Sequence, residues 1–355
     1  MRAKLYAVVP CPPPVTGMTL ASKAVADSLG SRAKIYTFSK SSKMTAWQWS
    51  IARQVTSTLM MLRAALSSRG HANIYLVPSS STGGLVADIT RALLLRLAFR
   101  RIWLHHHVSS YCNEENILMT TMLRILSSKT RHVVLDANMA HKLEARYAVQ
   151  HFFTLNNASL VQSPSVAPQR VGKALTVGFL GNLTEEKGVK EALVTMEAVS
   201  ELSDDFRFVI AGPVIDSALL RNIDDFLSSD PLRRKHLGAV SGIEKQMFYE
   251  EVDILLFPTK YKNEAQPLTI YEGMANSCVV LATPLGGIPE QLSGLNTCFE
   301  SGDYLKRSVE IISEWIERPE RLQNAQMAAR HQFERHRKIS ESQLSQLEDA
   351  LISTV

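Results

Sequence analysis

The chain has little cysteine and no long apolar run. Only four of its 355 residues are cysteine, Cys11, Cys112, Cys278 and Cys298, and no two of them form a C-x-x-C pair. Neither a disulfide framework nor a cysteine-based zinc site is suggested, and a reducing cytosol is the simplest compartment. No stretch reaches the roughly 20 consecutive apolar residues of a membrane-spanning helix. The opening MRAKLYAVVPCPPP has too short an apolar run before its prolines to read as a signal peptide, so the expectation is a cytoplasmic protein. Short-period repeats and low-complexity tracts are missing as well. No G-x-G-x-x-G follows a candidate strand, which weighs against a nicotinamide dehydrogenase.

What is present is the balance of a globular chain, 45% hydrophobic and 21% charged, in which every part is expected to fold. The length suits two α/β domains of about 150 to 200 residues each. The net charge of +5 hides an asymmetry: residues 1–168 carry 19 Lys and Arg against 6 Asp and Glu, whereas residues 169–355 carry 20 against 28. A basic first half predicts an anionic partner, which is nucleic acid, an anionic membrane or a phosphorylated substrate. The sign alone does not choose among them.

Short apolar runs punctuate the first half at Leu5–Val9, Lys34–Phe38, Asn73–Val77, Ile102–His105, Val133–Leu135 and Phe152–Leu155. Their spacing leaves room for crossover helices, which argues for a parallel sheet covered on both faces. The polar, proline-bearing segment 161–169 reads as a linker. A second series of strands follows at Thr176–Leu180, Phe206–Ala211, Ile254–Phe257 and Val279–Ala282. After the first of these, Val189, Ala192, Leu193, Met196, Val199 and Leu202 repeat at three-and-four spacing, predicting a helix with one buried face. The fold class expected is α/β, with two doubly wound Rossmann-like domains at 1–160 and 170–318. Residues 319–355 are expected to be helices packing back across both.

The segment Asn263-Glu-Ala-Gln-Pro-Leu-Thr-Ile-Tyr-Glu-Gly-Met-Ala-Asn276 carries the most chemistry. Pro267 marks a helix start. The backbone N–H groups near Leu268 and Thr269 then lie at the positive end of a helix dipole, which suits a pyrophosphate. Glu272, about one turn on, is positioned to accept from a ribose diol, and Glu264 in the loop to face a sugar. Two glutamates at this spacing are also ordinary helix-start residues, so the pair alone is weak. In the first half, the loop Pro12-Pro-Pro-Val-Thr-Gly-Met-Thr19 can bring backbone N–H groups and Gly17 close to a phosphate. Ser80-Ser-Thr-Gly-Gly-Leu-Val-Ala-Asp88 is a second loop of this type, offering Thr82 and Asp88 to an acceptor, although a first-turn Asp also simply complements the helix dipole. At the end of a strand, His105 and His107 point one way and His106 the other. No convergent ligands accompany them, so no metal site is expected.

Taken whole, the run from Glu264 through Glu272 to the turn Pro284-Leu-Gly-Gly-Ile-Pro-Glu290 resembles the retaining glycosyltransferases of family 4. Their donor segment has the form E-x7-E, followed by a small-residue helix, a short strand and a G-G-x-P-E turn. The resemblance extends to Val177-Gly-Phe-Leu-Gly-Asn-Leu-Thr-Glu-Glu-Lys-Gly188, to Phe208-Val-Ile-Ala-Gly-Pro213 and to His236-Leu-Gly-Ala-Val240. It covers residues 170–300 well and the first half more loosely. It implies a GT-B fold, two domains facing a cleft with the donor on the second. Lys187 would neutralise the donor diphosphate, and the turn at Gly238 to Val240 would lie against the nucleobase. His107 would sit beside the donor sugar, and Asn156 in the turn between domains. Asn182 stands where the family has Arg; its amide still donates to a phosphate oxygen but lacks the bidentate, charge-assisted contact.

The activity implied is transfer of a sugar from a nucleoside diphosphate sugar to a glycan or lipid-linked acceptor, with retention, in bacterial surface polysaccharide synthesis. It implies no cofactor and no obligatory metal, and no nucleic-acid partner. Two rivals stand beside it: a sugar-nucleotide epimerase of the same plan, and a non-catalytic nucleotide-sugar-binding subunit. Two stretches, residues 44–69 and 91–101, combine Trp, Leu or Met with Arg and hold almost no acid. Such composition suits a helix on an anionic membrane surface. For the second stretch an apolar core face with solvated arginines is the better reading; for the first, Trp47 and Trp49 favour the membrane, on the inner face of the plasma membrane.

Overall fold

The computed structural model describes residues 4–68, 70–164, 174–202 and 206–353. The chain divides into two units, one formed by residues 1–160 with 338–355 and the other by residues 161–337. Of the segment 161–169 read as a linker, residues 165–169 lie outside the described residues.

The apolar runs of the first unit form six parallel strands: β1 (Leu5–Pro10), β2 (Lys34–Phe38), β3 (Asn73–Leu76), β4 (Ile102–His105), β5 (Thr130–Val134) and β6 (Phe152–Thr154), in the order β2-β1-β3-β4-β5-β6. Every residue of β1, β3 and β4 is buried, as a parallel sheet sandwiched between helices requires. The second unit holds β7 (Leu175–Leu180), β8 (Phe206–Ala211), β9 (Arg234–His236), β10 (Ile254–Phe257) and β11 (Val279–Ala282), in the order β11-β10-β7-β8-β9. All of its ladders are parallel. The strand Arg234–His236 was not expected from sequence: its three basic residues show no apolar run. It pairs at the sheet edge, where Arg234 is buried between Glu197 and the ring of Phe226.

Side-chain caps start the helices that follow the strands. Thr16 and Thr19 form a reciprocal capping box at the helix Gly17–Leu29, Ser81 accepts from the Gly84 N–H at Thr82–Ala98, and Asp136 from the Met139 N–H at Ala137–Tyr147. Each cap satisfies a backbone donor that the first turn leaves open. The helix after β7 runs Val189–Ser200 and buries Val189, Ala192, Leu193, Met196 and Val199. Leu202, expected on that face, lies past the helix end and is exposed, because the helical register stops two residues before it.

The C-terminal segment is one helix, Pro319–Ile352. Up to residue 337 it belongs to the second unit, where Tyr271 and His336 share a hydrogen bond of 3.0 Å. From Lys338 it belongs to the first, where Leu347 and Leu351 join the core around Leu5, Ala7 and Val9. Ser340 there donates to the Asn156 carbonyl at 2.6 Å, and Gln343 accepts from the Asn156 N–H at 3.1 Å.

Candidate active site

In a parallel sheet of this kind, ligands bind beyond the carboxyl ends of the strands, where the strand order reverses. In the second unit that point lies between β7 and β10, the first and fourth strands of the sheet. The loop after β7 carries Asn182, which is exposed, and then a short turn, Glu185–Lys187, whose last N–H bonds to Thr184 Oγ1 at 3.2 Å. The loop after β10 carries Thr259, Tyr261 and Glu264. Lys187 Nζ donates to Glu264 Oε2 at 2.6 Å and lies 4.9 Å from the centre of the Tyr261 ring. Thr259 Oγ1 donates to the same oxygen at 3.4 Å.

Two glycines let the backbones approach closely enough for this. Gly188 has φ +80°, and a Cβ there would stand 1.9 Å from the Pro258 carbonyl oxygen. Gly286, in the turn after β11, has φ +56°, and its Cβ would stand 2.1 Å from the Glu264 carbonyl oxygen. The neighbouring Gly287 N–H donates to the Ala265 carbonyl at 2.5 Å. The loops after β7 and β11 therefore close on the loop that bears Glu264, which is only 8% exposed. Its Oε1 has no hydrogen-bond partner among the described residues, while Lys187 has three donors and gives one to Glu264.

Pro267 precedes the helix Leu268–Ala275, and no side chain caps it. Leu268 and Thr269 form its half-buried first turn. Glu272 faces two further groups: Lys245 Nζ donates to Oε1 at 2.5 Å and Tyr249 OH to Oε2 at 2.9 Å. Burial, reinforced by the Glu272 charge, pushes the Tyr249 hydroxyl well above its ordinary pKa, so it stays a donor. Lys245 and Tyr249 escaped the sequence reading because they sit on a different helix, Gly242–Glu251, 27 and 23 residues from Glu272. Gly238 and Val240 follow β9; the Gly238 carbonyl accepts from the Gly212 N–H at 2.6 Å, and Val240 is half-buried. All these residues lie along the carboxyl edge of one sheet.

In the first unit, Gly17 opens the helix after β1, Thr82 the helix after β3, and His107 follows β4. These three strands are neighbours, so the three positions lie along one stretch of sheet edge. Asp88 is different. It is the seventh residue of its helix rather than a first-turn residue, and its carboxylate accepts from the Ser79 N–H at 2.8 Å and from Arg91 Nη1 at 3.0 Å. Burial raises its pKa, and the Ser79 and Arg91 contacts oppose the rise.

The three histidines alternate as expected. His105 bonds to Tyr75 OH through Nδ1 and lies 3.9 Å from His107 between ring centres, the rings tilted by 40°, while His106 bonds to Tyr111 OH at 3.0 Å and to His132 at 2.9 Å. Burial drives His107 and His132 down to about 3, so both rings are neutral near pH 7. His107 Nε2 has no partner among the described residues. No group of three or more His, Cys, Asp or Glu among the described residues is placed to hold a metal ion.

Residues 174–317 match the family Glycosyl transferases group 1. No curated protein matches the chain. Among solved structures, Anabaena HepE in complex with UDP-glucose is similar with a TM-score of 0.64 at 14% identity, over 96% of this chain and 99% of that one. The lipopolysaccharide outer core galactosyltransferase WaaB, in its apo form, gives 0.66 at 14% identity, over 99% and 100%. S. aureus TarM, in complex with UDP, fondaparinux and α-GlcNAc-glycerol, gives 0.61 at 13% identity; the likeness covers 83% of this chain but 59% of TarM. At these identities what is shared is the fold, the paired parallel sheets of GT-B glycosyltransferases.

Proposed function

We propose that this chain, a glycosyltransferase by its group 1 domain and GT-B by its fold, moves a sugar from a nucleoside diphosphate sugar to a glycan or lipid-linked acceptor. Transfer proceeds with retention at the anomeric carbon and needs no obligatory metal. The observation that supports this best is the Lys187–Glu264 pair at the strand-order reversal, in the same loop system as the uncapped helix Leu268–Ala275.

In the step itself the bond from the anomeric carbon to the diphosphate oxygen breaks, and the electron pair leaves with the diphosphate. The acceptor oxygen forms the new bond, and its proton passes to the departing diphosphate. Negative charge therefore grows on the diphosphate, and preorganised donors there stabilise the transition state most. Lys187 supplies charge, Asn182 an amide donor, and the N–H groups of Leu268 and Thr269 the positive end of a helix. Glu264, its Oε2 fixed by Lys187 and Thr259, offers Oε1 to a sugar hydroxyl, and its charge favours the cationic character that develops on the ring.

Glu272 takes the ribose diol. Its carboxylate has room for about four hydrogen bonds, and Lys245 and Tyr249 hold it in one orientation with two of them. Gly238 and Val240 border the base. In the first unit Gly17 serves a phosphate, His107 the donor sugar as a neutral imidazole, and Thr82 the acceptor. Asp88 remains a secondary candidate for the acceptor, its carboxylate held by the Ser79 N–H and Arg91 with lone pairs to spare. The UDP-glucose bound to HepE and the lipopolysaccharide activity in WaaB's name support a nucleotide-sugar donor and a surface polysaccharide product, made at the cytoplasmic face of the membrane.

The test is to incubate the purified protein with a panel of nucleotide sugars, with and without a cell-lipid extract, and to follow nucleoside diphosphate release and the anomeric configuration of the product. Acceptor-dependent release with retained configuration is expected. Epimerised donor without acceptor, or donor binding with no turnover in any mixture, would replace transferase by epimerase or by binding subunit.

A further inference from the structure

The longest helix wholly within the first unit, Ala46–Ser68, has two apolar faces. One, with Ser57, Met61, Ala64, Ala65 and Ser68, is buried. The other carries Trp47, Ile51, Val55, Leu59, Leu62 and Leu66, all exposed. Steps of three and four residues keep these six on one side of the helix. Trp47 is 66% exposed, Leu59 62% and Leu66 81%, so nothing among the described residues covers the stripe. A contiguous apolar face of this kind on a soluble fold marks an interaction site.

The charge around the stripe selects the partner. Residues 28–87 contain no Asp or Glu and seven Lys or Arg. Lys43 and Met44 lead into the helix, exposed, and Arg63 is exposed beside the stripe. An apolar row about 30 Å long, bordered by cations and lacking carboxylates, matches the interfacial layer of an anionic bilayer: lipid tails meet the row and headgroups meet the cations. Not every aromatic or basic residue of these stretches belongs to the surface. Trp49 turns inward against Phe38, 6.4 Å between ring centres, and Arg91 is buried, bonded to Asp88 and Gln54. No helix among the described residues is long and apolar enough to cross a membrane, so the helix would lie along the surface.

We infer that the face Trp47–Leu66 is a docking surface for anionic phospholipid, which holds the enzyme on the membrane by one helix. It rests on the transferase reading only in presenting a membrane-held acceptor; the contact itself needs neither donor nor acceptor. The experiment uses the full chain with vesicles of phosphatidylcholine alone or mixed with phosphatidylglycerol, at low and high salt, and reads cosedimentation and the tryptophan emission maximum. Binding to the anionic vesicles with a blue shift is expected, weakened by salt. Leu59→Glu with Leu66→Glu should lower that binding by about tenfold or more, since charge on the apolar face of an interfacial helix opposes insertion. Leu232→Glu, at an equally exposed leucine of the second unit, should leave it unchanged.

Sedimentation velocity supplies the competing outcome. A dimer that the double substitution dissociates would show that a second copy of the chain covers the stripe, and would overturn the lipid assignment, as would equal binding to neutral and anionic vesicles. No binding of the wild-type chain to either vesicle, with acceptor-dependent transfer intact in detergent extract, would remove the docking surface and leave the transfer reaction standing.

Discussion

Glu264 and Lys187 lie 77 residues apart in sequence and 2.6 Å apart in space. Each keeps hydrogen-bonding capacity beyond the pair, Glu264 at Oε1 and Lys187 in its remaining donors, which separates them from a purely structural bridge. Asp88 and Arg91 sit in a denser network: Asp88 accepts from the Ser79 N–H and from Arg91, and Arg91 bonds to Thr58 and Gln54 as well. The histidines make a claim that pH can check. His107 and His132 are held near 3 by burial, against about 6.5 when unfolded. Below about 6.5 the unfolded chain takes up protons that the folded chain refuses. The stability these rings contribute is therefore fully present above the unfolded pKa and lost as pH falls, by up to about 1.4 kcal/mol per unit for each ring. Thermal melts should show Tm falling between about pH 7 and pH 5, with a shallower slope in His132→Asn. A Tm that does not change across that window would mean that the rings are not buried as described.

At the scale of elements, glycine placement sets the site. Gly286→Ala puts a Cβ within 2.1 Å of the Glu264 carbonyl and forces a left-handed backbone on alanine, a conformation costing about 1 to 2 kcal/mol by itself. Turnover should fall at least about tenfold and Tm should drop, because the loop bearing Glu264 must move. Gly302→Ala, where a Cβ meets nothing within 4 Å, should change neither; unaltered turnover in Gly286→Ala would contradict the packing of these loops. Most of this level was legible in the sequence. The buried strands announced themselves as short apolar runs, and the Glu264–Glu272 segment as a loop entering a helix at Pro267. What stayed hidden depended on tertiary pairing. The basic edge strand Arg234–His236 has no pattern of its own, Lys245 and Tyr249 acquire meaning only from the Glu272 carboxylate they face, and Tyr261 only from the Lys187 ammonium over its ring. Leu202 continued a helical spacing that the backbone had already left, and Asp88 read as a first-turn residue although the helix starts at Thr82, six residues earlier.

At the scale of the whole chain, the proposed roles are divided between two units. The charge contrast follows that division: the first half is rich in Lys and Arg and carries the exposed stripe, and the second is acidic overall yet concentrates Lys187 and a helix N-terminus at one sheet edge. The long helix Pro319–Ile352 supplies buried side chains to both units, Phe333 to the second and Leu347 and Leu351 to the first. The central claim is that the second unit's strand-order reversal is where a nucleotide sugar is cleaved for transfer. Steady-state nucleoside diphosphate release by the wild-type chain, by Glu264→Ala and by Lys187→Ala, each confirmed folded by circular dichroism, tests it most directly. Each variant should lose on the order of 10² to 10³ in turnover, the usual cost of removing one preorganised electrostatic contact. Wild-type turnover in either folded variant would contradict the assignment.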